Sequence, residues 1–219
     1  MKILATSDFH GNTEAAHKTA LKVKRVQADI LVVCGDITQF GSVEDAQRLF
    51  APLLAAEIPL FYVPGNCDSP ELAKAGIAGA VCLHGTCRVS KNVCFLGLGG
   101  SSPTPFRTLF ELTEPEILET LNRGVKNYSG SDWLVIVSHD TPKDTRLDLT
   151  WFNRHVGSVS LRTFIEEQKP DIVFCGHIHE ASGIDYIGET LLVNPGPVIH
   201  GSCAAVNLGD KIEAELSSL

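Results

Sequence analysis

Five short apolar runs, each stopping at a small or polar cluster, do most to limit what this chain can fold into. They are Lys2–Thr6, Ile30–Cys34, Pro59–Val63, Trp133–Val137 and Ile172–Cys175. A continuous run such as Ile30–Cys34 suits a strand covered on both faces, which is the situation inside a parallel sheet. Helical periodicity fills the gaps. Ala15, Ala16, Thr19, Ala20, Val23 and Val26 recur at helical spacing within Asn12–Val26. Ser42 is placed to cap a second helix, with Asp45 in its first turn and Ala46, Leu49, Phe50, Leu53 and Leu54 on its inner face. The first 65 residues therefore read β-α-β-α-β, a parallel sheet with right-handed crossovers.

The remainder continues in kind. A short helix is expected over Ser69–Ala75, and a hairpin from Thr86–Val89 and Val93–Leu98 around Ser90-Lys91-Asn92. Thr113 and Glu116 form a capping box for a helix running to about Asn127, and Ser158 or Ser160 starts one ending near Gln168. The segment 141–157 lacks periodicity. The tail from Ser182 to Leu216, punctuated by glycine, reads as an antiparallel meander. Ile30–Asp36 resembles Asp171–His177, an echo that fits either pseudo-symmetry between two halves or the small alphabet of buried strands.

At 219 residues the chain suits one domain spanning 1–219, large enough to bury roughly 70% of its unfolded surface without a covalent staple. The net charge of −8 and the lack of a Lys/Arg run speak against stable nucleic-acid binding. A small phosphorylated substrate stays open if cations in the site neutralise it. Seven cysteines, with no Cys-x-x-Cys and with Cys34, Cys94 and Cys175 inside apolar runs, read as reduced thiols packed as small hydrophobes. Asp8 and His10 come too early for a signal-peptide core, and no apolar stretch approaches the roughly 20 residues of a membrane span. The expected location is cytoplasmic, with no membrane association; a homodimer is compatible with the sequence.

The chemistry lies at the ends of the runs. They close on Ser7-Asp8-Phe9-His10-Gly11, Gly35-Asp36, Pro64-Gly65-Asn66-Cys67-Asp68, Ser138-His139-Asp140 and Gly176-His177-Ile178-His179. In parallel or mixed sheets ligands bind beyond the carboxyl ends of the strands, so one crevice receives Asp8, His10, Asp36, Asn66, His139, His177 and His179. Period-two alternation lets His177 and His179 face it together while Ile178 points away. Two carboxylates, an amide and four imidazoles suit one or two borderline divalent ions better than magnesium or calcium alone. Seven ligands fit a pair of ions roughly 3.5–4 Å apart sharing a carboxylate.

The ordered motifs Asp8-x-His10, Gly35-Asp36, Gly65-Asn66-x-Asp68, His139 and Gly176-His177-x-His179 resemble those of the calcineurin-like metallophosphoesterases. Ser101–Phe106 and Pro142–Thr145 are similar to a prokaryotic, chiefly archaeal branch related to the Icc cyclic-nucleotide phosphodiesterases. The resemblance implies an α/β fold, a four-layer α/β/β/α sandwich of two mixed sheets flanked by helices. It implies one metal on Asp8, His10, Asp36 and His179 and a second on Asp36, Asn66, His139 and His177, with Asp36 bridging. Two divalent ions are implied, manganese foremost, with iron, zinc, nickel or cobalt as alternatives. The implied activity is hydrolysis of phosphodiesters, phosphomonoesters or both, by in-line attack of a hydroxide bridging the ions, with Asn66, Cys67, Asp68 and His139 as catalytic residues.

One position departs from the family. Gly-Asn-His-Asp/Glu is here Gly65-Asn66-Cys67-Asp68, so the histidine usually proposed as the general acid is missing. A metal-bound water, or His84, His155 or His200, could stand in. Arg107 and His155 are further candidates for binding phosphate, and His200 for the rim. His17 reads as solvated, His84 as a turn and Trp133 as core; Trp151 and Phe152 read as anchors of their loop. Two other uses of the fold stay open: an interaction scaffold, as in the retromer subunit of the superfamily, and a nuclease.

Overall fold

A computed structural model of the chain describes residues 1–126, 128 and 130–219. In chain order the elements are β1 (Lys2–Thr6), α1 (Thr13–Val26), β2 (Ile30–Cys34), α2 (Val43–Leu54), β3 (Leu60–Val63), α3 (Glu71–Ala75), β4 (Val81–Cys82), β5 (Cys87–Ser90), β6 (Val93–Leu98), α4 (Glu114–Val125), β7 (Trp133–Ser138), α5 (Val159–Gln168), β8 (Ile172–Phe174), β9 (Gly183–Ile187), β10 (Thr190–Asn194), β11 (Ser202–Leu208) and β12 (Ile212–Ser218). The helix starts follow local chemistry. Asn12 Oδ1 accepts from the Ala15 N–H, Ser42 and Asp45 form a reciprocal box, and Glu116 accepts from the Thr113 N–H. The start of α5 has a second cap from outside: Glu114, at the head of α4, accepts from the Val159 and Ser160 N–H groups and the Ser158 hydroxyl. The expected end of α4 at Asn127 lies outside the described residues; the helix is described to Val125.

Two mixed six-stranded sheets form, in the orders β12-β11-β1-β2-β3-β4 and β5-β6-β7-β8-β10-β9. β1 to β4 run parallel in the first sheet, and β6, β7, β8 and β10 run parallel in the second. Strand alternation then sorts side chains into layers. Ile30, Val32 and Cys34 of β2 point between the sheets, where they join Phe61, Phe95, Val135 and Phe174. The Phe61 and Phe95 rings meet across that seam, their centroids 4.8 Å apart. Leu31 and Val33 point the other way and pack with Ala16, Val23, Leu49 and Phe50 of α1 and α2. Leu96, Ile136 and Val173 do the same on the far side with Ile117, Leu121, Leu161 and Phe164 of α4 and α5. The result is the four-layer α/β/β/α sandwich that the sequence resemblance implies.

Two sequence expectations need correction. The tail is not one meander. β9 and β10 form a hairpin in the second sheet, with β10 parallel to β8, whereas β11 and β12 form a hairpin on β1 of the first. The apolar Leu191-Leu192-Val193 segment is buried beside β8, and the chain crosses to the other sheet through Pro195–Gly201. The two-residue β4 is too short to leave a periodic signal. Finally, Cys87 and Cys94 pair as a disulfide across the β5–β6 hairpin, in place of seven reduced thiols. They occupy diagonal positions on neighbouring strands, within side-chain reach. Cys34, Cys67, Cys82, Cys175 and Cys203 are free. No described helix is long and apolar enough to cross a membrane.

Candidate metal centre

The carboxyl ends of β1, β2 and β3 meet those of β6, β7 and β8 at one edge of the seam. A ladder of backbone hydrogen bonds continues past the strands. The Asp8 N–H donates to Gly35 O (3.0 Å), His10 to Asp36 O (2.8 Å) and Gly11 to Ile37 O (2.9 Å). In the second sheet His139 donates to Leu98 O and Gly176 to His139 O. Asp8, His10, Asp36 and His177 all adopt left-handed backbone, with φ of 58°, 46°, 48° and 65°. That conformation costs roughly 1–3 kcal/mol at a non-glycine residue and persists only where the surroundings enforce it. Here the ladder enforces it, and the reversal turns each side chain into the crevice. Close approach also needs missing side chains. A Cβ on Gly35 would collide with the His139 ring, and one on Gly65 with the Asp36 carboxylate.

The ligating atoms converge in three groups, each within 4.8 Å: Asp8 with His10 and His179; His10 with Asp36 and Cys67; Asp8 with Asp36 and His139. His179 Nε2 lies 3.3 Å from Asp8 Oδ1 and 3.3 Å from His10 Nε2. Asp36 faces both ways, with Oδ2 3.7 Å from His10 Nε2 and Oδ1 3.4 Å from His139 Nε2. Asn66 Oδ1 sits 2.8 Å from His139 Nε2. His177 is in none of the three groups; its ring packs edge-on against His139 at 5.0 Å between centroids. Six of the seven predicted ligands are thus directly linked, and His177 borders them.

The electrostatics fit cations. Asp8 is 1% exposed, yet neither of its oxygens receives a directed hydrogen bond. A buried carboxylate normally has such partners, so this pair of oxygens is suited to a positive ion. Burial alone would raise the Asp8 pKa, but the His179 and His139 rings outweigh it and hold it at about 2. The His139 Nδ1–H donates to the Cys34 carbonyl (2.7 Å), which leaves Nε2 among oxygen acceptors. Burial opposes charge on His139, but the Asp36 and Asp8 carboxylates raise its pKa above the ordinary value. Burial, then the neighbouring His139, lower His177 to about 4, keeping its ring neutral and able to ligate. Carboxylate, amide and imidazole together match the donor preference of borderline divalent metals.

A supporting layer holds these groups, and most of it left no sequence signal. Asp68 is fully buried. It accepts from the Ile37 and Gly65 N–H groups through Oδ2 and from the Thr38 N–H and hydroxyl through Oδ1. It thereby clips the loop after β2 to the loop after β3 and faces away from the cluster's open side. Asn66 Nδ2 donates to Thr108 Oγ1, and the Thr108 hydroxyl donates to Glu111, which orients the amide oxygen inward. Asp140 accepts from the Ser102 and Thr141 N–H groups; burial pushes its carboxyl up to about 6. Asn194 Nδ2 donates to Ile178 O and pins the turn between the two histidines. A short hydroxyl in a loop, or an amide at a strand end, is too common in sequences to single out Thr108 or Asn194.

The other candidates separate clearly. His84 is not a free turn residue: its Nδ1 accepts from the Gly99 N–H, and burial, then Arg123, lower its pKa to about 4. The buried Asp148 accepts from His155 Nδ1 at 2.6 Å. Arg107, His200 and His17 are exposed, and Trp133 packs on the central core. Trp151 and Phe152 anchor nothing, being 84% and 86% exposed.

Comparison with known proteins is consistent along the whole chain. The family model for calcineurin-like phosphoesterases matches residues 1–181. An uncharacterised protein of Methanocaldococcus jannaschii is 39% identical over 202 residues, covering 90% of this chain and 88% of that one. Among solved structures, a Thermus thermophilus protein superposes with a TM-score of 0.73 at 20% identity, covering 98% and 97% of the two chains. A dimetal phosphatase from Danio rerio gives 0.71 at 13% identity, covering 100% and 96%. An archaeal phosphodiesterase gives 0.60 at 14% identity over the full length of both.

The supporting layer can be tested at two points. Replacing Thr108 with valine frees the Asn66 amide to rotate, and calorimetric titration with manganese should show affinity about 10–100-fold weaker; unchanged affinity would mean that Thr108 does not orient Asn66. Asp140 binds a proton more tightly folded than unfolded, its pKa being about 6 against 3.8. Its stabilisation is therefore fully present below 3.8 and lost as pH rises through about 6. In metal-free protein, urea unfolding at pH 5 and pH 8 should show the wild type losing stability relative to Asp140→Asn at the higher pH. Parallel behaviour of the two proteins would refute the assignment.

Proposed function

The chain belongs to the calcineurin-like phosphoesterases, a family that uses divalent metals to hydrolyse phosphate esters, and we propose that it carries out this hydrolysis at a two-metal centre. The observation that carries the reading is the position of Asp36, a buried carboxylate with one oxygen toward His10 and the other toward His139. Asp8, His10 and His179 would hold one ion with Asp36, and Asn66, His139 and His177 the other. Bound ions of this kind make water nucleophilic near neutral pH and draw charge from the phosphoryl oxygens.

The residues around them have separable tasks. The Cys34 carbonyl fixes the His139 tautomer, so that Nε2 points into the site. Thr108 orients Asn66. Asp68, with its two oxygens bound by Ile37, Thr38 and Gly65, is a positioning residue and does not touch substrate. Burial, then the Asp36 charge beside it, push the Cys67 thiol well above its ordinary pKa. Cys67 therefore keeps its proton, but a thiol is a weak donor, and the leaving oxygen is poorly protonated. This supports phosphate esters with good leaving groups as the better substrates, in mono- or diester form. Manganese, a single domain over 1–219 and a small phosphorylated substrate complete the reading.

The test begins with chelator-stripped protein. Added manganese should restore turnover of bis(p-nitrophenyl) phosphate or p-nitrophenyl phosphate; silence with manganese, iron, zinc, nickel and cobalt alike would favour a non-catalytic scaffold. A general acid contributes about 10²–10⁴-fold, so aryl esters should outpace alkyl esters by about 100-fold or more. Cys67→His should narrow that gap. Equal rates for the two ester classes in the wild type would mean another acid serves.

A further inference from the structure

Every exposed Phe and Trp among the described residues lies on a loop that follows a ligand-bearing strand or its neighbour in the sheet. Phe40 follows β2, Phe106 follows β6, and Trp151 and Phe152 follow β7. They are 53%, 85%, 84% and 86% exposed. Each loop is hydrogen-bonded to a candidate ligand or to the residue beside one. The Phe40 N–H donates to the carbonyl of Cys67, next to Asn66. Thr108, two residues from Phe106, accepts from Asn66 itself. The Trp151 N–H donates to Glu180 Oε1, next to His179. The loops that carry the four rings therefore border the crevice that holds the candidate ligands.

The loops that carry the rings are fastened. Glu111 Oε1 accepts from the Thr104 hydroxyl and from the Thr108 N–H and hydroxyl, closing the Phe106 loop. Asp148 accepts from the Asp144, Thr145 and Gly157 N–H groups and from His155, closing the base of the Trp151 loop. The Thr150 N–H donates to Arg154 O and closes its tip. Rings held in water on closed loops lose little freedom when a flat partner stacks on them, and preorganisation of this kind favours binding. Arg107 and Arg154 flank the rings, and among the described residues neither joins an ion pair.

We propose that this rim selects the substrate class: phosphate esters whose esterified group carries a flat aromatic ring, a nucleobase or a simple aryl group, stacked on Trp151 or Phe152 while the phosphoryl group enters the metal centre. The inference rests on the phosphoesterase reading for the placement of the phosphoryl group. Stacking is tolerant of ring identity, because every base or aryl ring offers a π-face.

The test measures binding, so it stands apart from turnover. Manganese-loaded protein is titrated calorimetrically with methylphosphonate, phenylphosphonate and the phosphonate analogue of adenosine monophosphate, whose C–P bonds resist hydrolysis. One or both ring-bearing ligands should bind about tenfold tighter than methylphosphonate, and the ratio should fall toward one in Trp151→Ala/Phe152→Ala. Selection of the adenosine analogue alone would identify nucleotides as the source; selection of both, aryl groups in general. Wild-type selectivity without turnover of any ester would leave the rim standing and remove the hydrolase reading. A ratio near one in the wild type, or one unchanged in the double variant, would overturn the rim, as would failure of all three to bind. A wild-type dimer in sedimentation that the double variant dissolves, with the ligand ratio unchanged, would assign the rings to contact between two copies.

Discussion

Two carboxylates buried at one edge of the seam between the sheets, Asp8 and Asp36, set the terms for the rest of the structure. Removing a carboxylate from water costs several kcal/mol unless opposite charge or directed hydrogen bonds replace the lost hydration. Asp36 has the Cys67 N–H at 2.8 Å and imidazoles on two sides. Asp8 has imidazoles near it but no directed hydrogen bond to either oxygen. Such a cluster is stable only with cations, protons or both among its members, and that requirement gives the site its appetite for divalent metal.

The backbone around the cluster is shaped by the same demand. Five chain segments must end within a few ångströms of one point, and ordinary extended or helical backbone would carry their side chains past it. Left-handed turns at Asp8, His10, Asp36 and His177 reverse the chain; the ladder from Asp8 to Gly11 against Gly35 to Ile37 holds the first three, and the Gly176 N–H to His139 O bond precedes the fourth. Gly35 and Gly65 remove the methylene groups that would otherwise occupy the positions of the His139 ring and the Asp36 carboxylate. Strain concentrated in this way is tolerable because both sheets and four packed helices lie behind it. Function is concentrated at the edge of the fold where local preference is most violated.

Much of this was legible in the chain. Continuous apolar runs such as Ile30–Cys34 announced strands covered on both sides, and the helices of the outer layers announced themselves by spacing and by caps at Ser42 and Thr113. The motif residues were legible because metal chemistry demands unusual side chains at strand ends. The echo between Ile30–Asp36 and Asp171–His177 has a structural counterpart: each contains a central parallel strand of one sheet and ends in a left-handed residue at the site. The tail was misread because β10 and β11 have similar apolar content, and pairing partners are chosen by the free edge each meets. Trp151 and Phe152 were misread because a large apolar side chain looks the same in sequence whether it is buried or held in water.

Periodicity and composition are local properties, so the sequence alone determined the succession of strands and helices, the residues that could ligate a metal and the replacement of a histidine by Cys67. Tertiary structure decided what depends on distance between remote segments. It placed Asp36 between His10 and His139, brought Thr108 to the Asn66 amide, turned Asp68 away from the open side and divided the last four strands between two sheets. Those outcomes follow from which surfaces bury together when the two sheets close on each other, a choice made by the whole core at once and recorded at no single position of the chain.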